Sequence, residues 1–237
     1  MQMILSIKRL LTFVLFLSVL FFFSGCGTGT GELPTEKLKV LQKDIPTYSI
    51  LLEDMKEQGN FFKTYFHKYR VVQEQDGWTT DWLEVPENYY NMNEQFLGMC
   101  LVTKKEGEFN NEATPPGYAY VGDSRYGKWR RDDRGGRFWE WYGKYALFSS
   151  MFGGWYRPIY MRDYDVYRGH RTRHRPFFGR NKEYGSSGSI TQKTKPSFYT
   201  RFKSKQSSAR SRFLGKVSNR VGRSKGGFRG RAGGFGK

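Results

Sequence analysis

Few residues in this chain stand where chemistry could be done. His170 and His174 are four apart, a spacing that would place two imidazoles on one helix face for a metal ion. Arg168, Arg171, Arg173 and Arg175 surround them, however, and no third ligand lies nearby. A solvated basic segment is therefore expected there, with no metal and no other cofactor. His67 sits among alternating aromatic residues and reads as a hydrogen-bonded structural histidine. Cys100 lies in the apolar run Phe96-Leu97-Gly98-Met99-Cys100-Leu101-Val102, which suits a buried, inert thiol. Asp132 and Asp133 are bracketed by Arg130, Arg131 and Arg134 and read as a surface loop. Glu140 has no evident carboxylate partner for acid–base work. There is no paired-cysteine or metal-binding motif. These residue types point away from catalysis.

Charge is more informative. The chain has 237 residues and a formal net charge of +18. Residues 171–237 hold 19 of the 40 basic residues and one of the 22 acidic ones, leaving 21 of each sign in 1–170. All of the net charge thus lies in the last part of the chain, where an anionic partner would be met. Within it, Phe213, Leu214, Val217 and Val221 share one arc when drawn at about 100° per residue, and Arg212, Lys216, Arg220 and Arg223 share the neighbouring arc. That pattern is a basic amphipathic helix, suited to an anionic membrane surface. The final Gly-Gly-Phe-Arg-Gly-Arg-Ala-Gly-Gly-Phe-Gly-Lys resembles the Arg-Gly-Gly tails of RNA-binding proteins, with Arg229 and Arg231 as cations and Phe228 and Phe235 free to stack on bases.

The other end carries an address. Lys8 and Arg9 precede an almost wholly apolar run of 14 residues from Leu10 to Phe23. A spanning helix needs about 20 residues, so this length suits the apolar region of an export signal. The run ends in Phe23-Ser24-Gly25-Cys26, which resembles the lipobox of bacterial lipoproteins, with phenylalanine where that family usually has leucine. The resemblance implies cleavage before Cys26 and diacylglycerol on its thiol. Gly27, rather than the aspartate that serves as the family's inner-membrane retention signal, implies outer-membrane sorting where the host has an outer membrane. Residues 26–33 read as a Gly/Thr-rich tether. If Cys26 is lipidated, Cys100 has no intrachain partner.

Between these ends, 34–155 reads as a compact α+β domain. Pro34 opens a short helical segment. Tyr48–Gln58 is ambiguous between strand and helix, and strand is preferred because Gly59-Asn60 suits a turn into an alternating second strand. Asp76-Gly77 suggests another turn into Trp78–Val85. Strands are also expected over 96–103 and Tyr118–Asp123, together forming an antiparallel meander. Phe138, Trp141, Tyr142, Tyr145, Phe148 and Phe152 fall at three- and four-residue spacings, predicting one aromatic helix packed on the sheet. Residues 156–184, with Tyr156, Tyr160, Tyr164 and Tyr167 among arginines, read as an extended arm. Residues 185–237 are expected to be disordered, being rich in Gly, Ser, Lys and Arg.

The function expected from these parts is that of a non-catalytic envelope lipoprotein. Lipid at Cys26 would hold it to a bilayer, and the cationic tail would engage an anionic lipid or envelope polymer. Two alternatives are a saccharide- or peptide-binding module that uses the aromatic body, and a nucleic-acid binder that uses the Arg/Gly tail.

Overall fold

The computed structural model describes residues 32–74 and 76–224, with side chains as far as Arg220. The expected signal segment, the lipobox residues Phe23, Ser24 and Gly25, the lipidation residue Cys26, most of the tether, and the tail residues Arg229 and Arg231 lie outside the described residues, as does the side chain of Arg223. From Pro34 the described residues belong to one unit of class α+β.

Its centre is an antiparallel sheet. Strand β1 (Tyr48–Gln58) pairs with β2 (Thr64–Gln73) on one side and β5 (Cys100–Lys105) on the other. Strands β3 (Gly77–Thr79) and β4 (Leu83–Val85) both border β2, and β6 (Glu108–Asn110) borders β5. The strand reading of Tyr48–Gln58 therefore holds. The chain leaves a simple meander at β5, which returns to the free edge of β1.

Tyr48 to Leu52 are all buried with no alternation, because both faces of the sheet are covered there. On one face lies α2 (Glu87–Asn93), whose Tyr89 and Tyr90 pack on His67 of β2. Helix α1 (Pro34–Leu41) joins it through a 2.9 Å hydrogen bond between the Thr35 and Tyr89 hydroxyls. On the other face, the Ser49 hydroxyl hydrogen-bonds the Tyr120 hydroxyl at 2.9 Å, and an aromatic layer follows.

That layer corrects the expectation of an aromatic helix over 138–152. Arg137–Trp141 is strand β8, paired with β7 (Gly127–Arg131) around the Asp132–Gly136 turn. Trp129 and Trp139 face each other in this hairpin with ring centroids 5.1 Å apart. The strand period of 129, 139 and 141 wins because the two strands satisfy each other's backbone groups. Only then does the chain turn helical, in a 3₁₀ turn at Gly143–Tyr145 and the short α3 (Phe148–Met151). Tyr118–Tyr120, expected as a strand, is likewise a 3₁₀ turn.

The compact body does not end at 155. Trp155, Ile159, Tyr167, Phe177, Tyr184, Ile190 and Phe198 all belong to the buried core. The expected extended arm contains helix α4 (Met161–Thr172), whose Tyr164 packs at a tilt on Trp129 and whose Tyr167 meets Tyr118 edge to face. Spacings of four and three from Tyr160 to Tyr164 and Tyr167 put these rings on one helix face. The expected disorder of 185–237 is also corrected as far as Ser224. Helix α5 (Ser189–Thr194) is followed by α6 (Pro196–Ser224), 29 residues long. Pro196 occupies the first helical position, where its missing N–H costs nothing.

Candidate functional site: the cationic helix

Helix α6 has two halves. The first is docked. Lys195, just before it, holds Asp54 at 2.6 Å, and Lys205 holds Glu57 at 3.1 Å and Glu94 at 2.6 Å. Phe198 and Phe202, one turn apart, stack with centroids 5.8 Å apart and pack against the core. Since Asp54 and Glu57 follow one another along β1, α6 runs beside that strand and in its direction.

The second half stands free. Every described side chain from Lys203 to Arg220 is exposed, and beyond Lys205 none makes a hydrogen bond or ion pair to the body among the described residues. At 1.5 Å per residue, Gln206 to Ser224 extend the helix by about 28 Å. Over its whole length α6 carries eight Lys/Arg and no acidic residue.

From Arg212 onward the overhang shows two arcs, while Arg210 falls within the apolar one. Arg212, Lys216 and Arg220 continue the arc that carries Phe198, Phe202 and Lys205 in the docked half. Phe213, Leu214 and Val217, which are 65%, 54% and 40% exposed, occupy the arc beside it. A helix with one cationic and one apolar arc, both in solvent, can lie along a negatively charged interface. Gly215 meets nothing within 4 Å and does not interrupt it. The structure thus brings Arg212, Lys216 and Arg220 together on one helix.

The other candidates lose their chemistry in the fold. His170 lies in α4 with its ring 5.4 Å from Phe177, while His174 lies past the helix end and pairs with Glu112 at 2.5 Å. Among the described residues no three His, Cys, Asp or Glu come together as metal ligands would. Cys100 is buried, and burial pushes its thiol up to about 12, so the nucleophilic thiolate is suppressed. His67 is fully buried and receives or donates a 2.8 Å hydrogen bond at Nδ1 with the Tyr69 hydroxyl. Loss of hydration lowers its pKa to about 4.

Asp132 is spent on its own turn, accepting hydrogen bonds from the backbone N–H groups of Arg134 and Gly136. Glu140 is on strand β8, not on a helix, and accepts a hydrogen bond from Arg130 at 2.5 Å. Of the six aromatic residues whose spacing suggested a stripe, Tyr145, Phe148 and Phe152 are buried in the core, while Phe138 and Trp141 are half-buried and Tyr142 is exposed.

Sequence reasoning missed a second exposed apolar feature. The turn joining β1 to β2 carries Phe61 and Phe62, which are 98% and 92% exposed. Their signal was visible as two adjacent phenylalanines directly after Gly59-Asn60. No helix among the described residues is long and apolar enough to cross a membrane. No family model matches the chain, no curated protein matches it, and no solved structure matches its fold.

Proposed function

We propose that this protein is a non-catalytic, lipid-anchored component of the bacterial cell envelope. In this reading Cys26 carries the anchoring lipid and the free half of α6 binds an anionic envelope surface. The observation that carries the reading is the overhang of α6, in which Arg212, Lys216 and Arg220 form an uninterrupted cationic arc in solvent. Each Lys or Arg held near an anionic surface contributes about 1 kcal/mol, an attraction that falls away within a Debye length. Two acyl chains at Cys26 make a stable anchor, since each buried CH₂ contributes about 0.8 kcal/mol.

Co-sedimentation with anionic vesicles and with an anionic polymer, across a salt series, tests the cationic helix. Binding should be strong at low salt, fall steeply as salt rises, and vanish when the chain is ended after Lys205. Binding that survives this truncation would assign the ligand to the body instead. Metabolic labelling with an alkyne fatty acid tests the anchor. Label in the wild type that is lost in Cys26→Ser supports it, and no label in either protein removes it.

A further inference from the structure

We propose that the β1–β2 turn inserts Phe61 and Phe62 into the acyl boundary of an anionic phospholipid bilayer while the free half of α6 lies on its headgroups. The inference rests on the anionic-surface reading above and narrows that surface to a bilayer.

Three observations converge on one end of the molecule. Phe61 and Phe62 are adjacent and almost entirely in solvent, and the turn gives them no packing partner in the body. Solvated phenylalanine pairs are unfavourable by the apolar area they expose, and burying that area in lipid recovers it. Next, α6 leaves the body at this same turn. Glu57, at the last part of β1, is held by Lys63 at 2.5 Å and by Lys205 at 3.1 Å, after which both the turn and the helix project onward. A cleft of about 350 Å³ separates them, lined by Lys63, Arg201 and Lys205 beside Met55, Tyr90 and Phe202.

Finally, the chemistry around the tip is that of a bilayer interface. The cationic arc of α6 continues the face that docks on the body, so Arg212, Lys216 and Arg220 project on the turn's side of the helix. Trp82 stands on the flank of the same hairpin with Lys56 Nζ 4.4 Å from its ring. Trp and Lys are residues that settle at headgroup depth, their apolar parts in and their polar ends out. A soluble polyanion would satisfy the cations but leave Phe61, Phe62, Phe213 and Leu214 in water. A bilayer satisfies both.

The test uses residues 34–237, which close their own core. The probes are vesicles of phosphatidylglycerol and phosphatidylcholine, with dextran sulfate as a lipid-free polyanion. Phe61→Ser with Phe62→Ser should weaken vesicle partition about tenfold or more, leaving dextran sulfate binding and the melting temperature unchanged. Phe61→Leu with Phe62→Leu should restore partition. A Phe62→Cys variant carrying an environment-sensitive dye should shift to the blue on vesicles and be quenched by lipids spin-labelled in their acyl chains. Buried Cys100 stays unlabelled.

Serine substitutions that leave partition unchanged would overturn the insertion. So would a dye that remains in water while the protein binds, or wild-type binding to dextran sulfate but not to vesicles. Each of these leaves the anionic-surface reading standing. Binding to neither probe overturns both.

Discussion

The Lys205 ammonium lies 2.6 Å from the Glu94 carboxylate, and beyond this pair α6 makes no further polar contact with the body among the described residues. Lys205 therefore divides α6 into a half that packs on the core and a half whose described side chains stand in solvent.

Two truncations should behave differently on either side of that point. Ending the chain after Lys205 should leave the melting temperature within a degree or two, since the described side chains it removes, Gln206 to Arg220, are exposed. Ending it after Tyr184 removes buried Ile190, Thr191 and Phe198. It also removes Ser186, which accepts the Leu97 N–H at 3.2 Å and donates to the Glu94 carbonyl. A loss of about 5 kcal/mol or more is expected, read by denaturant unfolding. Equal stability of the two truncated chains would place the boundary elsewhere.

Charge on the free half should set affinity without touching the fold. Replacing Arg212, Lys216 and Arg220 together by Gln removes three cations near the surface, worth about 3 kcal/mol or roughly a hundredfold in vesicle affinity. The salt dependence should flatten as well, while the melting temperature holds. Vesicle titrations of both proteins at several ionic strengths check this.

His67 should make the fold acid-sensitive. Its ordinary pKa of 6.5 applies to the unfolded chain, whereas burial in the folded protein lowers it to about 4. Between these values the unfolded chain holds the extra proton, so the sign is fixed. Stability is full above about pH 6.5 and falls as pH drops toward 4, by up to about 3 kcal/mol. Urea unfolding across this range should show the slope, and His67→Phe should reduce it.

Gly98 should not tolerate a side chain. Its φ is +75°, and a Cβ there would stand 2.1 Å from the six-membered ring of Trp155. Trp155 cannot easily yield, because its indole N–H donates to Glu53 at 3.2 Å, and Glu53 also holds Arg70 at 2.8 Å. Gly98→Ala combines a left-handed backbone with a steric clash and should cost about 3 kcal/mol or more. Thermal melts of the purified variant would measure it.

Local pattern by itself determined several features. Alternation over Phe62, Thr64 and Phe66 after the Gly59-Asn60 turn marked β2 and favoured the strand reading of β1, and Pro34 marked the start of α1. The apolar run around Cys100 marked a buried strand, and Arg212, Lys216 and Arg220 could be placed on one helical arc from spacing alone. These are short-range signals, written in neighbours that meet within an element.

Tertiary structure decided the rest. Residues 138–152 satisfied a helical spacing, but Trp139 found a partner strand in β7, and long-range pairing overrode the local period. The Gly/Ser/Lys/Arg composition of 185–205 argued against folding because it holds few apolar residues. Those few, Ile190, Phe198 and Phe202, pack on a surface supplied by strands far away in sequence. The same docking orients α6 along β1 and starts its free half at the end of β1 that leads into the Phe61-Phe62 turn. That juxtaposition depends on Lys195, Lys205, Asp54 and Glu57 meeting across 141 and 148 positions of chain. No local periodicity records which distant surface an element will find, because that choice is made by packing.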